Sequence, residues 1–104
     1  MSAMGASTRV LERIRYEGDI CFIIPPEEVL EGLEIKGGEK IKVRLLRVYD
    51  PKMRVVDEAG RVVEFESDAH HPHHWEIPMD VIRKHKIMDL GYIEFDVLEV
   101  EQHA

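Results

Sequence analysis

The chain carries the same apolar pattern twice. One stretch reads Ile24-Pro25-Pro26-Glu27-Glu28-Val29 and continues, after a short interval, as Ile35-Lys36-Gly37-Gly38-Glu39-Lys40-Ile41-Lys42-Val43-Arg44-Leu45-Leu46-Arg47-Val48. The other opens on Ile77-Pro78 and continues from Ile87 through Ile93-Glu94-Phe95-Asp96-Val97-Leu98-Glu99-Val100. From Ile35 and Ile87 onward the apolar positions align at a constant offset, Ile41 with Ile93, Val43 with Phe95, Leu45 with Val97 and Val48 with Val100. Self-similarity over such a period marks two copies of one supersecondary unit. Two copies in one chain predict a small, mainly β, closed barrel of two pseudo-symmetric strand-helix-strand repeats with two short helices. At 104 residues the chain suits one domain. The expected division is a flexible tail over residues 1–8 and a barrel over 9–104, with halves of about 9–50 and 51–101.

Local signals fill in the elements. Val10, Ile14 and Tyr16 suit a first strand, and Glu17-Gly18-Asp19 is a turn. Asp19 to Ile24 is a short apolar run, which predicts a buried strand. Pro25-Pro26 opens a helix whose early glutamates suit its positive end, and Gly32 is expected to close it. From Lys40 to Tyr49 charged and apolar residues alternate, as in a strand with one wet face. The doublet Leu45-Leu46 breaks the alternation, and a bulge there returns Arg47 to the outside. Met53 to Val56 and Arg61 to Phe65 flank Asp57-Glu58-Ala59-Gly60, which reads as a hairpin. A brief strand from Trp75 to Ile77, a second proline-started helix to about Lys86 and a last strand from Tyr92 to Val100 follow.

The order of strand, Ile-Pro, short helix, Gly-containing turn and strand resembles the AbrB/MazE-type swapped-hairpin barrel family. Ile24-Pro25-Pro26-Glu27-Glu28-Val29 and Leu33-Glu34-Ile35-Lys36-Gly37-Gly38-Glu39-Lys40-Ile41-Lys42-Val43 carry the resemblance. The second copy matches at Ile77-Pro78, Val81-Ile82 and Ile87, but its glycine, Gly91, comes later than the family's turn position. Two copies in one chain also resemble the related double-psi barrels. The resemblance implies a closed barrel, and DNA binding or antitoxin activity by a dimer. On that alternative Lys40, Lys42, Arg44 and Arg47 form the nucleic-acid face, and a homodimer, DNA or a protein is the partner.

Charge separates the copies. Lys42 stands where the second copy has Glu94, Arg44 where it has Asp96, and Arg47 where it has Glu99. If the two strands are neighbours, these residues form cross-strand ion pairs that fix register. The net charge of −7 disfavours a general nucleic-acid binder, although residues 36–54 are locally basic. Many charged residues, no asparagine and a lone Gln102 match a heat-adapted composition.

Four of the six histidines cluster in Asp68-Ala69-His70-His71-Pro72-His73-His74. The segment from Gly60 to Pro78 exceeds that from Gly18 to Pro25 by eleven residues, so the cluster reads as an addition to the second copy. Imidazole ligates zinc, nickel, copper or iron near neutral pH, and His71-Pro72-His73 sets two rings on one side of an extended segment. The candidate metal ligands are His70, His71, His73, His74 and Asp68, with zinc, nickel or iron as the expected ion. Only His85 or His103 is available to complete the set from a distance. No phosphate loop, dinucleotide fingerprint or Ser-His-Asp spacing appears. Cys21, the lone cysteine, lies in an apolar run and reads as a buried hydrophobe. One cysteine and no basic, apolar leader fit a reducing cytoplasm, and no run approaches membrane-spanning length. The sequence therefore points first to a small binding or regulatory module with a metal site. A DNA-binding regulator comes second, and a metal-dependent enzyme third.

Overall fold

A computed structural model describes residues 8–102. Met1 to Ser7 of the expected tail, and His103, lie outside the described residues. In chain order the elements are β1 (Thr8–Arg13), β2 (Arg15–Glu17), β3 (Ile20–Ile23), α1 (Glu27–Gly32), β4 (Lys40–Tyr49), β5 (Val55–Asp57), β6 (Arg61–Ser67), β7 (Trp75–Glu76), α2 (Met79–Lys84) and β8 (Tyr92–Glu101).

Alternation drives the sheet. Ile41, Val43 and Leu45 of β4 are fully buried, while Lys40, Lys42 and Arg44 between them face out. The register against β8 shifts between Leu45 and Arg47, so Arg47 returns to the surface and Val48 to the core, as the Leu45-Leu46 doublet predicts. Strands pair antiparallel in the order β1-β8-β4-β6-β7-β3-β2, with β5 also on β4. The two ends of this path, β1 and β2, are consecutive in the chain and joined at Ile14. One N-terminal run thus holds both edges, and the sheet curls into a nearly closed barrel. Phe65 and Phe95 meet edge-on at 5.4 Å inside it, beside a fully buried Trp75. Cys21 is buried as well, and burial is the main cause that pushes its thiol up to about 11, which keeps it protonated.

The charge-inverted strands are neighbours. Lys42 lies 3.8 Å from Glu99, and Arg47 lies 3.4 Å from Glu94, both across the β4–β8 pair. Arg9 of β1 holds Asp96 at 3.0 Å. Each exposed pair is weak alone, but together they oppose any slip of register.

Two sequence expectations need correction. Asp57 to Gly60 does not turn a hairpin, because β5 and β6 run in the same direction along β4. The reversal lies earlier, where the Asp50 carboxylate accepts the backbone N–H groups of Lys52 and Arg54 at 2.9 Å each. Asp57 to Gly60 is an irregularity opposite the Leu46 bulge, held by the Ala59 N–H on the Leu46 carbonyl. Gly18 does turn a hairpin, from β2 into β3, so Gly18 and Gly60 are not corresponding positions. The length difference counted between them is therefore not an insertion. The histidine segment joins β6 to β7, as the Gly18 turn joins β2 to β3.

The two helices have the same local construction. Pro26 and Pro78 each occupy the N-cap, at φ −59° and −63°. Leu33 N–H donates to Val29 and Ile35 N–H to Leu30, while His85 N–H donates to Val81 and Ile87 N–H to Ile82. α1 ends at Gly32, as expected, and the left-handed residue beyond each helix is Glu34 (φ 55°) and Lys86 (φ 60°). Burial differs: α2 buries Val81 and Ile82, whereas α1 buries no residue. His85, at the end of α2, is buried with its Nδ1 2.6 Å from Asp57 of β5.

Gly91 sits where a Cβ would collide with the Tyr49 carbonyl oxygen, and its own carbonyl accepts the Ile14 N–H at 2.7 Å. Gly91→Ala must therefore push β4 from the barrel seam. It is expected to cost about 1–3 kcal/mol, read as a lowered denaturation midpoint in urea with an unchanged slope.

Candidate functional site

The histidine loop rests on a buried carboxylate. Glu39 is 2% exposed. Its side chain accepts the Lys36 N–H at 2.8 Å, the Gly37 N–H at 2.7 Å and the Ser67 hydroxyl at 2.7 Å. The Glu39 and Ser67 backbones also bond, Ser67 N–H to the Glu39 carbonyl at 2.9 Å. Ser67 is the last residue of β6, so Glu39 fastens the root of the loop to the turn before β4. Gly37 packs against the same root: a Cβ on it would stand 3.0 Å from the Ala69 carbonyl. Burial pushes the Glu39 carboxyl up, but the hydrogen bonds from Ser67, Lys36 and Gly37 outweigh it and hold the group below the ordinary glutamate range.

Beyond this root the loop closes on itself. Asp68 N–H donates to the His74 carbonyl at 2.9 Å, and His74 N–H to the His71 carbonyl at 2.8 Å. The Asp68 carboxylate accepts the His70 N–H at 2.8 Å, the main cause that holds its carboxyl below the usual range. His74 stacks on Phe22 at 4.4 Å, and His71 stacks on His74 at 5.3 Å. His70, His71 and His73 are exposed. The structure thus gathers His71 and His74 and turns His73 toward α1. Among the described residues no three His, Cys, Asp or Glu side chains are assembled as a metal-ligand set. His85 is engaged by Asp57. Beside the loop, the Glu76 carboxyl is pushed up by burial and by the neighbouring charges of Asp68 and Glu66.

His73 and Pro72 form one wall of a groove of about 370 Å³. The other wall is α1 and the turn after it. Leu30 and Ile35 make an apolar floor, and Glu27, Glu31, Glu34 and Lys36 line the rim. The floor exists because α1 leaves its apolar side half-covered, where α2 is packed down. Of the four basic residues expected to face nucleic acid, Lys42 is paired with Glu99, and Arg47 with Glu94 and Glu58. Lys40 and Arg44 stand exposed on the same strand.

Sequence reasoning missed Glu39 and the groove carboxylates. Spacing alone offered a signal for the latter, since Glu27, Glu31 and Glu34 follow the step of a helical face. Comparison with protein-family models, with curated proteins and with solved structures finds no match for this chain.

Because the Glu39 carboxyl is held below its ordinary value of 4.5, the stability it contributes is complete above that pH and is lost as pH falls through its folded-state value. Glu39→Gln places an amide NH₂ among N–H donors and is expected to cost about 1–3 kcal/mol at neutral pH. Urea unfolding across an acid series checks both: the gap between the two proteins should narrow below the ordinary glutamate value.

Proposed function

We propose that this chain is a small binding module built from two divergent copies of one strand-strand-helix-strand unit, with its binding surface in the groove between α1 and the histidine loop. The groove is the observation that carries the reading. Its volume of about 370 Å³ lies in the range of small-ligand sites. An apolar floor below three carboxylates and one lysine selects an apolar body bearing a positive charge, such as an alkylammonium or guanidinium group on a peptide. Among the described residues the side chains of Glu27, Glu31 and Glu34 have no hydrogen-bond or ion-pair partner, so their charge is available to a ligand.

Several registers support the two-copy reading. Arg44 lies opposite Asp96 in the β4–β8 pair, and these are corresponding positions of the two repeats. Ile23 lies opposite Trp75 in the β3–β7 pair, which keeps the same offset. The bonds Ile14 N–H to the Gly91 carbonyl and Leu90 N–H to the Ile14 carbonyl have counterparts in Ser67 N–H to Glu39 and Gly38 N–H to Ser67. The DNA-binding alternative rests on the sequence resemblance and on the basic residues of β4, of which Lys42 and Arg47 are paired with acids within the molecule.

A labelled peptide alternating arginine and leucine should bind the protein, with fluorescence anisotropy as the measurement. Glu27→Gln with Glu31→Gln and Glu34→Gln should weaken it by at least about tenfold. Equal binding of a peptide with glutamate in place of arginine would sink the reading.

A transition-metal site on the loop is the second reading, favoured by His71 and His74 lying 5.3 Å apart beside the like charges of Asp68 and Glu76. A zinc, nickel or iron ion there would relieve that repulsion. Calorimetric titration of untagged protein with zinc is expected to give binding that His71→Ala with His74→Ala abolishes. Zinc binding that survives the double substitution removes the loop as the site.

A further inference from the structure

We infer that the acidic groove of one molecule receives the basic end of α2 from a second copy of this chain. The inference rests on the groove being a binding surface and names its occupant. The two helices share backbone construction but not charge. Glu31 of α1 corresponds to Arg83 of α2, and Glu34 in the turn after α1 corresponds to Lys86 in the turn after α2, so acids in one segment stand where the other has bases. Lys84 adds a third cation. All of these residues are exposed. Among the described residues Arg83, Lys84 and Lys86 make no hydrogen bond or ion pair through their side chains.

The face of α2 also offers what the groove floor needs. Met79 is 49% exposed and lies one helical turn before Arg83, on the same side. A flexible thioether chain followed by two cations matches Leu30 and Ile35 below Glu31 and Glu34. Asp80, also exposed on α2, is the one acid on this helix, and it sits at the opposite end from Lys84 and Lys86. Each molecule carries both the groove and the basic ridge. A two-fold pair therefore makes the contact twice, with α1 on the partner's α2 and α2 on the partner's α1. The net charge of −7 repels two copies at long range. At about 0.15 M salt the screening length is about 8 Å, so that repulsion fades while charges in contact still attract.

Sedimentation velocity of the full chain at about 0.15 M salt, from about 10 µM to about 500 µM, tests the contact. Wild type is expected to associate with rising concentration. Glu31→Arg with Glu34→Lys makes both faces basic, and Arg83→Glu with Lys86→Glu makes both acidic. Each should weaken self-association by at least about tenfold. An equal mixture of the two variants should form a heterodimer, because every basic face then meets an acidic one. All four sites are exposed, and thermal melts by circular dichroism establish that the variants are folded. A wild type that stays monomeric throughout overturns the inference, as does association that both swaps leave unchanged or a mixture that forms no heterodimer. If a monomeric wild type still binds the arginine-leucine peptide, the groove stands as a binding site and only its occupant is wrong.

Discussion

The pairing of β4 with β8 is the constraint on which the rest of the barrel depends. These are the two ten-residue strands, and they lie antiparallel along most of their length. On the inner side Val43, Leu45 and Val48 face Val97, Phe95 and Ile93, all buried. On the outer side lysine and arginine face glutamate and aspartate. A slip by one residue would carry Lys42 or Arg44 into the core and set the apolar row in water. Every other strand is then placed by what these two leave open. β5 and β6 take the free side of β4, and β1 takes that of β8.

Much of this architecture was legible because burial imposes a period on the sequence. The alternation from Lys40 to Tyr49, its interruption at Leu45-Leu46 and the two proline-started helices all have local causes, and all lie where they were expected. The misplaced hairpin has a physical reason. Two neighbouring segments both have turn composition, and the Asp50 carboxylate, by binding the Lys52 and Arg54 amides, decides between them. Asp57 to Gly60 is then left to absorb the bulge in β4. Glu39 was invisible for another reason. In sequence it is one more acid beside Gly37-Gly38, and its burial depends on Ser67, 28 residues away. The histidine cluster was plain as composition. Its geometry was not, because His74 is set by a ring from another part of the chain, Phe22.

The opposite charges carried by β4 and β8, and by the two helical segments, have two outcomes. On the strands they are neutralised within the molecule, since β4 and β8 touch and Lys42 and Arg47 meet their acids there. On the helices and the turns after them they are not. Glu31 and Glu34 are exposed at α1 and the turn after it, and Arg83 and Lys86 at α2 and the turn after it. The first set tightens the fold, and the second leaves two surfaces of opposite sign.

The seam at Ile14 carries a consequence for how the chain reaches this state. The segment that closes the sheet is the first described strand, and its partner β8 is the last, so Arg9 finds Asp96 across 87 positions. Contacts of such separation are entropically costly to form and slow to find. A nascent chain that lacks β8 has neither its central pair nor its seam. Within the described residues β8 contributes to both the central pair and the edge that β1 closes, so a cut within β8 removes contacts from two places in the sheet at once.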